Sequence, residues 1–260
     1  MMNKVLFAIM LVLGLIAPFL AYPVFVMDLL CFALFACAFN LLLGYAGLLS
    51  FGHAAFFGGA AYIAGHALKV WGFPPLLGIL AGTGFAFLIG AVFGFLAIRR
   101  QGIYFAMVTL ALAQIIYFLC LQLPFTGGEN GLQGIPRGKL FGLIDLGNEI
   151  SMYYLVFAIF LVGFGIIYRT IHSPFGEVLQ AIRENESRAL SLGYDVDRFK
   201  LLAFVLSATM AGLAGSTKAL VFQFASLTAA HWQTSGEVIL MTLVGASHCL
   251  VPIPSVLRHL

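Results

Sequence analysis

The residues able to do chemistry are dispersed along this chain. His53, His66, His172, His231, His248 and His259 stand far apart, and Cys31, Cys37, Cys120 and Cys249 contain no CxxC pair. Zinc ligation, a disulfide framework or acid–base catalysis needs such groups clustered or at a defined spacing. None is offered, so no catalytic residue, metal ligand or cofactor is expected, and the cysteines read as small packing residues. No GxxxxGK[ST] loop is present to cradle a nucleotide phosphate. What does attract notice is a hydroxyl and an imidazole in a glycine-rich run, Gly44-Tyr-Ala-Gly47-Leu-Leu-Ser50-Phe-Gly52-His53. Ser50 and His53 offer hydrogen bonds there, and Thr109 and Gln114 offer them farther along.

The elements that hold these residues follow from composition. Of 260 residues 62% are hydrophobic and 9% charged, which is wrong for a soluble domain. The net charge of +3 gives no basic face for nucleic acid and no charge excess to keep the chain disordered. Long unbroken apolar runs exclude a β-barrel, whose strands alternate. A transmembrane helix takes about 17 to 25 apolar residues. Val5–Tyr22, Val24–Leu43, Phe51–Leu68, Leu76–Ile98, Ile103–Leu123, Ile150–Tyr168 and Leu201–Phe222 meet that length. An eighth run begins after Glu237 but soon meets His248, Pro252, Pro254 and Arg258, and is incomplete. The sequence therefore predicts an all-α polytopic membrane protein, a compact bundle of about seven full spans plus an incomplete eighth. The first run also has the look of a signal peptide, but no small-x-small cleavage box is clean.

With the N-terminus cytoplasmic, Lys4, Arg99, Arg100, Arg169, Arg183, Arg188, Arg198 and Lys200 fall inside and Lys69, Arg137 and Lys139 outside, which obeys the positive-inside rule. Small residues four apart mark faces for close helix contact: Ala54/Gly58, Ala55/Gly59 and Ala61/Gly65 in the third span, Gly78/Gly82 and Gly90/Gly94 in the fourth, Ala208/Gly212 and Ala211/Gly215 in the seventh. Asp28, Lys218 and Glu237 lie near span ends rather than at the midplane, and a Lys218–Glu237 ion pair is expected. The run 44–53 is a candidate broken helix beside a translocation path, with Ser50 and His53 facing it, the alternative being an ordinary cytoplasmic turn with an interfacial histidine; Thr109 and Gln114 either face the same path or bond a neighbouring helix.

Two loops are large. The external loop 124–149 contains Thr126-Gly-Gly-Glu129-Asn130-Gly131, predicted to form a folded cap whose Glu129 and Asn130 either dock a soluble partner or stay solvated. In the cytoplasmic loop 169–200, Ser173-Pro174 starts a helix and Gly193 stops it. Between them Val178, Leu179, Ile182, Ala189 and Leu190 recur at helical spacing. The polar face mixes acids and bases, so a protein partner is preferred to a lipid surface.

The segment Gly176-Glu-Val-Leu-Gln-Ala181-Ile-Arg183-Glu184-Asn185-Glu186-Ser-Arg188-Ala189-Leu-Ser-Leu-Gly193 resembles the ATPase-coupling loop of LivM-type permease subunits of branched-chain amino-acid ABC importers. Gly47-Leu-Leu-Ser50-Phe-Gly52-His53, Gly102-Ile-Tyr104-Phe-Ala-Met-Val-Thr109, Thr126-Gly-Gly-Glu-Asn-Gly131 and Ser235-Gly-Glu237-Val look like the same family in the same order, so the resemblance covers about residues 5 to 245. It implies a non-catalytic subunit of the bacterial inner membrane that imports branched-chain or related small amino acids. The partners implied are a second homologous permease, two cytoplasmic ATPases and a periplasmic substrate-binding protein. The helix 174–192 would be the coupling helix, and Arg183, Glu184, Glu186, Ala189 and Gly193 match its motif. Residues 1–245 would form the permease domain. The tail 246–260 departs from the family's glycine-rich continuation, as expected of a shifted reading frame or truncated product. An ion-coupled secondary transporter or channel is the alternative, but it predicts midplane carboxylates, which are sparse here.

Overall fold

The computed structural model describes residues 11–12, 14–18, 22–100, 102–123, 126–140 and 144–248. Residues 11–12 and 14–18 are helical. The helices that follow are α1 (Pro23–Asn40), α2 (His53–Lys69), α3 (Pro75–Ala97), α4 (Ile103–Gln122), α5 (Glu149–Ile171), α6 (Pro174–Glu184), α7 (Glu186–Ser191), α8 (Val196–Phe222) and α9 (Trp232–His248). Strand β1 (Leu132–Gln133) pairs antiparallel with β4 (Phe224–Ala225), and β2 (Lys139–Leu140) with β3 (Ile144–Asp145).

Local chemistry sets the helix ends. Pro23, Pro75 and Pro174 open α1, α3 and α6 in the first turn, where a missing N–H costs nothing. The side chains of Asn148, Asn185 and Asp195 cap α5, α7 and α8 by accepting from the N–H groups of Ile150, Arg188 and Arg198 at 3.3, 3.0 and 3.3 Å. Ser173 does not cap α6 with its hydroxyl. The tight turn out of α5 brings that hydroxyl beside the Thr170 carbonyl, which also accepts the Ser173 N–H at 3.3 Å, and it donates there at 2.6 Å. Gly193 does stop α7: it sits at φ 87°, and the Tyr194 N–H returns to the Ala189 carbonyl at 3.2 Å. The single helix expected over 174–192 is two, because Asn185 is extended (φ −154°, ψ 95°) and its side chain starts α7 afresh.

Five helices are long and apolar enough to cross a membrane: α1 with its continuation to Ala46, α3, α4, α5 and α8. They correspond to five of the expected spans, and the protein is an all-helical, multi-pass membrane protein. The expected first span, Val5–Tyr22, falls largely outside the described residues. The expected third is α2, a 17-residue helix buried along its length except at Ile63, His66 and Lys69. The incomplete eighth is α9, which begins at Trp232 rather than after Glu237. Residues 249–260, most of the atypical tail, are outside the described residues.

The small-residue faces meet one another. Helices α2, α3 and α8 make the most extensive packing in the bundle. At Gly82 a Cβ would stand 2.5 Å from the Ala60 carbonyl oxygen of α2, and at Gly215 it would collide with the Phe57 backbone. Close approach of this kind is the main source of helix association where lipid already solvates apolar side chains. Around this triad stand α1, α4, α5 and α9, and large apolar side chains such as Leu88, Val92, Met107, Phe118 and Val162 point outward.

The expected Lys218–Glu237 pair is not formed. Lys218 of α8 meets Asp28 of α1 instead, Nζ to Oδ1 3.0 Å, with the ammonium 3.9 Å from the Phe32 ring centroid. The reason is packing: α1 lies along α8, and both charges sit near the same end of the two helices. At that end segment 126–140 folds over the bundle. Ile135 N–H bonds the Gln223 carbonyl at 3.1 Å, Arg137 donates to Val221 at 2.7 Å and Lys69 to Gln133 at 2.8 Å.

Replacing Gly215 by Ala should destabilise the bundle by about 1–3 kcal/mol, since the added methyl has only backbone to displace. Gly84→Ala, which meets open space, should leave stability nearly unchanged. Thermal unfolding of the detergent-purified variants checks the contrast; equal midpoints would refute the close-packing account.

Candidate functional site

The chain breaks between α1 and α2. Past Asn40 the helix widens into a π turn, Leu41–Ala46, and Gly47 at φ 69° ends it. The Leu48 N–H reaches back to the Leu42 carbonyl at 3.2 Å. Residues 47–50 then run without helical bonds and α2 starts at His53. Irregular backbone of this kind survives at membrane depth only where the protein satisfies it.

Hydroxyls from several helices supply that satisfaction. Ser50 Oγ accepts the Gly52 N–H at 3.2 Å. Thr109 Oγ1 of α4 accepts the Phe51 N–H at 3.3 Å and donates to Ala106 at 2.9 Å. Ser235 Oγ of α9 accepts the Ala54 N–H at 2.8 Å. His53 Nε2 lies 2.8 Å from Ser207 Oγ of α8, and Ser207 in turn donates to the Ala38 carbonyl of α1 at 2.5 Å. Because the Ser207 hydrogen is used on Ala38, its oxygen accepts and His53 carries its proton on Nε2. The other ring nitrogen is buried and has no hydrogen-bond partner among the described residues. Phe39, Phe56 and Phe204 surround the imidazole edge-on, with centroids at 5.1, 5.6 and 5.9 Å.

Of the residues the sequence placed near a path, Ser50, His53 and Thr109 thus come together, all fully buried. Gln114 is half-buried farther along α4 and makes none of these bonds. Ser207 and Ser235 were missed. Ser207, in an alanine-rich span, carries no spacing signal, and the run around Ser235 does not name its partner; only the fold brings them to His53 and to the start of α2.

A second group lies at the opposite end from the 126–140 cap. Helices α6 and α7 rest on the bundle through Leu179, Ile182 and Ala189, which are buried, with Ile182 and Ala189 clustered against Val196. Arg183 of α6 donates to the Gly44 carbonyl inside the π turn, and its methylenes lie against Gly47. Glu186 of α7 holds Lys200 at the base of α8, Oε2 to Nζ 2.8 Å, and Lys200 is only 5% exposed. Of the motif residues, Arg183, Glu186 and Ala189 therefore face the rest of the chain, while Glu184 and Gly193 face outward. Leu190 and Leu192 are also exposed, at 63% and 70%. Glu129 and Asn130 are exposed in a short turn at the far end.

A buried break ringed by hydroxyls, with a helix pair bonded to it, thus lies within a multi-pass membrane protein. The comparisons are specific. The chain belongs to the family described as "Branched-chain amino acid transport system / permease component", whose profile matches residues 24–257. It is 30% identical over 234 residues to the high-affinity branched-chain amino acid transport system permease protein LivM of Escherichia coli, an alignment covering 79% of this chain and 54% of that protein. The Salmonella typhimurium LivM gives the same figures, 30% over 79% and 54%. A probable branched-chain amino acid transport permease protein LivH of Methanocaldococcus jannaschii is 24% identical over 72% of this chain and 59% of its own length. The chain spans about half the length of the LivM relatives it matches. No solved structure gives a significant match.

Removing the partner of a buried charge costs more than removing both charges, because the survivor is left unpaired. Glu186→Leu should therefore destabilise by about 2–4 kcal/mol, and the double variant Glu186→Leu with Lys200→Leu by less. Thermal unfolding of the wild type, Glu186→Leu, Lys200→Leu and the double variant measures the coupling; additive losses would show that the pair contributes nothing.

Proposed function

We propose that this chain is a membrane-spanning subunit of an ATP-driven importer of branched-chain or related small amino acids. It crosses the inner membrane seven times with its N-terminus in the cytoplasm. Its partners are a second homologous permease, two cytoplasmic ATPases that dock on α6 and α7, and a substrate-binding protein that delivers its ligand to the 126–140 end. Family membership supports the class. The observation that carries the mechanism is the bond from Arg183 to the Gly44 carbonyl, which ties the exposed helix pair to the broken helix.

On this reading α6 and α7 are the coupling element. Closure of the ATPases displaces the pair, and two attachments pass the displacement on. Lys200 and Glu186 move with the base of α8, and Arg183 moves the π turn. A π turn is a costlier geometry than an α turn and is frequent at functional positions, so a change there shifts the Ser50–His53 segment against Thr109 and Ser207. ATP favours one arrangement of the bundle only through contacts that differ between the two arrangements. No side chain of this chain breaks a bond in the cycle; hydrolysis belongs to the partner ATPases. The path for substrate runs beside Ser50, His53, Thr109 and Gln114, and Glu129 and Asn130 meet the delivering protein.

The test is co-expression of the tagged chain with its neighbouring permease and ATPase genes, followed by ATPase recovery and labelled leucine uptake. Wild type should retain the ATPases. Leu190→Asp, which puts a charge on the exposed docking face, should lose them. Arg183→Ala should keep the ATPases but cut uptake at least roughly tenfold, a coupling loss on the order of the usual allosteric range. If Arg183→Ala transports normally the proposed route is wrong, and if wild type neither retains ATPases nor imports, the importer reading falls.

A further inference from the structure

We infer that the end of α3 holds the phosphate of an anionic membrane phospholipid. Arg99 and Arg100 lie just past Ala97, both exposed, and with Phe95 and Leu96 they line an open cleft of about 410 Å³. Neither arginine forms an ion pair among the described residues. Arg99 is folded back along the helix, its guanidinium carbon 5.0 Å from the centroid of the Phe95 ring. That contact turns the charge away from open water and toward the apolar side of the helix.

The helix continues the argument below the cleft. Leu77, Leu80, Gly84, Leu88, Val92 and Phe95 are all exposed and recur at three- and four-residue steps on one stripe of α3 that ends at Arg99. A stripe of this length is lipid-facing, so an acyl chain lying along it carries its headgroup to the arginines. Guanidinium groups are planar forks that match phosphate oxygens two at a time, and basic pockets at the ends of membrane helices favour anionic headgroups. Two unpaired arginines suit a singly or doubly charged phospholipid better than a zwitterionic one. Charge at a span end also orients the helix in the membrane without binding anything. Lysine replacements separate the two roles, because they keep the charge and remove the fork.

The experiment uses the full chain purified into discs of phosphatidylcholine alone or with phosphatidylglycerol or cardiolipin, with bound lipid counted by native mass spectrometry after release. Wild type should retain anionic lipid and the double variant Arg99→Gln with Arg100→Gln should retain roughly tenfold less. Phe95→Ala should give an intermediate loss, and the Arg99→Lys with Arg100→Lys protein should insert normally yet hold less lipid than wild type. Equal retention by wild type and the glutamine variant would overturn the inference, as would the same loss in Arg188→Gln, an exposed arginine remote from α3. Two more outcomes count against it. Displacement of the lipid by millimolar inorganic phosphate would assign the arginines to a free anion, and loss of the lipid when the second permease is co-expressed would make the stripe a protein interface. All readouts are independent of transport, so failure here leaves the importer proposal standing, and failure of that proposal leaves this site testable.

Discussion

A backbone that leaves its helix inside a membrane must find its hydrogen bonds within the protein, and much of this bundle answers to that constraint. Between Ala46 and Ala54 the chain bonds instead to hydroxyls brought in by other helices: Thr109 from α4 and Ser235 from α9, with Ser50 closing its own turn. Ser207 of α8 adds a link from His53 to α1. Four helices are thus pinned to one irregular segment. The glycine and alanine faces of α2, α3 and α8 serve the same end, because only close backbone approach brings short serine side chains within reach of a neighbour.

The helix pair α6 and α7 is built into this arrangement. Its apolar residues face Val196 and Phe199 at the base of α8, and its charged residues divide between two tasks. Arg183 and Glu186 reach inward to Gly44 and Lys200, while Glu184, Arg188, Leu190 and Leu192 stay outside. Attached at two points, the pair is fixed in its orientation, where one apolar contact would let it roll. The kink at Asn185 gives each half its own attachment.

How much could be read in advance varied with the kind of signal. Long apolar runs gave the five spanning helices, and proline and glycine gave their starts and stops, because these effects are local. Small residues four apart identified the faces that pack but not their partners. Ser50, His53 and Thr109 stood out through glycine-rich or motif-bearing context. Ser207 did not, and the motif-bearing run at Ser235 gave no sign of its partner, since their roles come from contacts about 150 to 180 residues away. The ion pair was misassigned for the same reason: Lys218 has acids on both sides in sequence, and only the packing of α1 along α8 selects Asp28 over Glu237. The break at Asn185 was hidden by apolar spacing that remains helical across it.

The placement of α2 has a consequence for how the protein is made. Its 17 residues carry five glycines or histidines in the stretch from Gly58 to His66 and at His53, and it ends at Lys69. Such a segment partitions weakly into lipid by itself, yet it occupies the centre of the finished bundle with almost no surface toward the bilayer. During synthesis α1 leaves the ribosome before it, whereas α8, the helix it packs on most, leaves well over a hundred residues later. The central helix is therefore retained by its neighbours rather than by its own affinity for the membrane, and the bundle is complete only when the late-arriving helix slots in beside it.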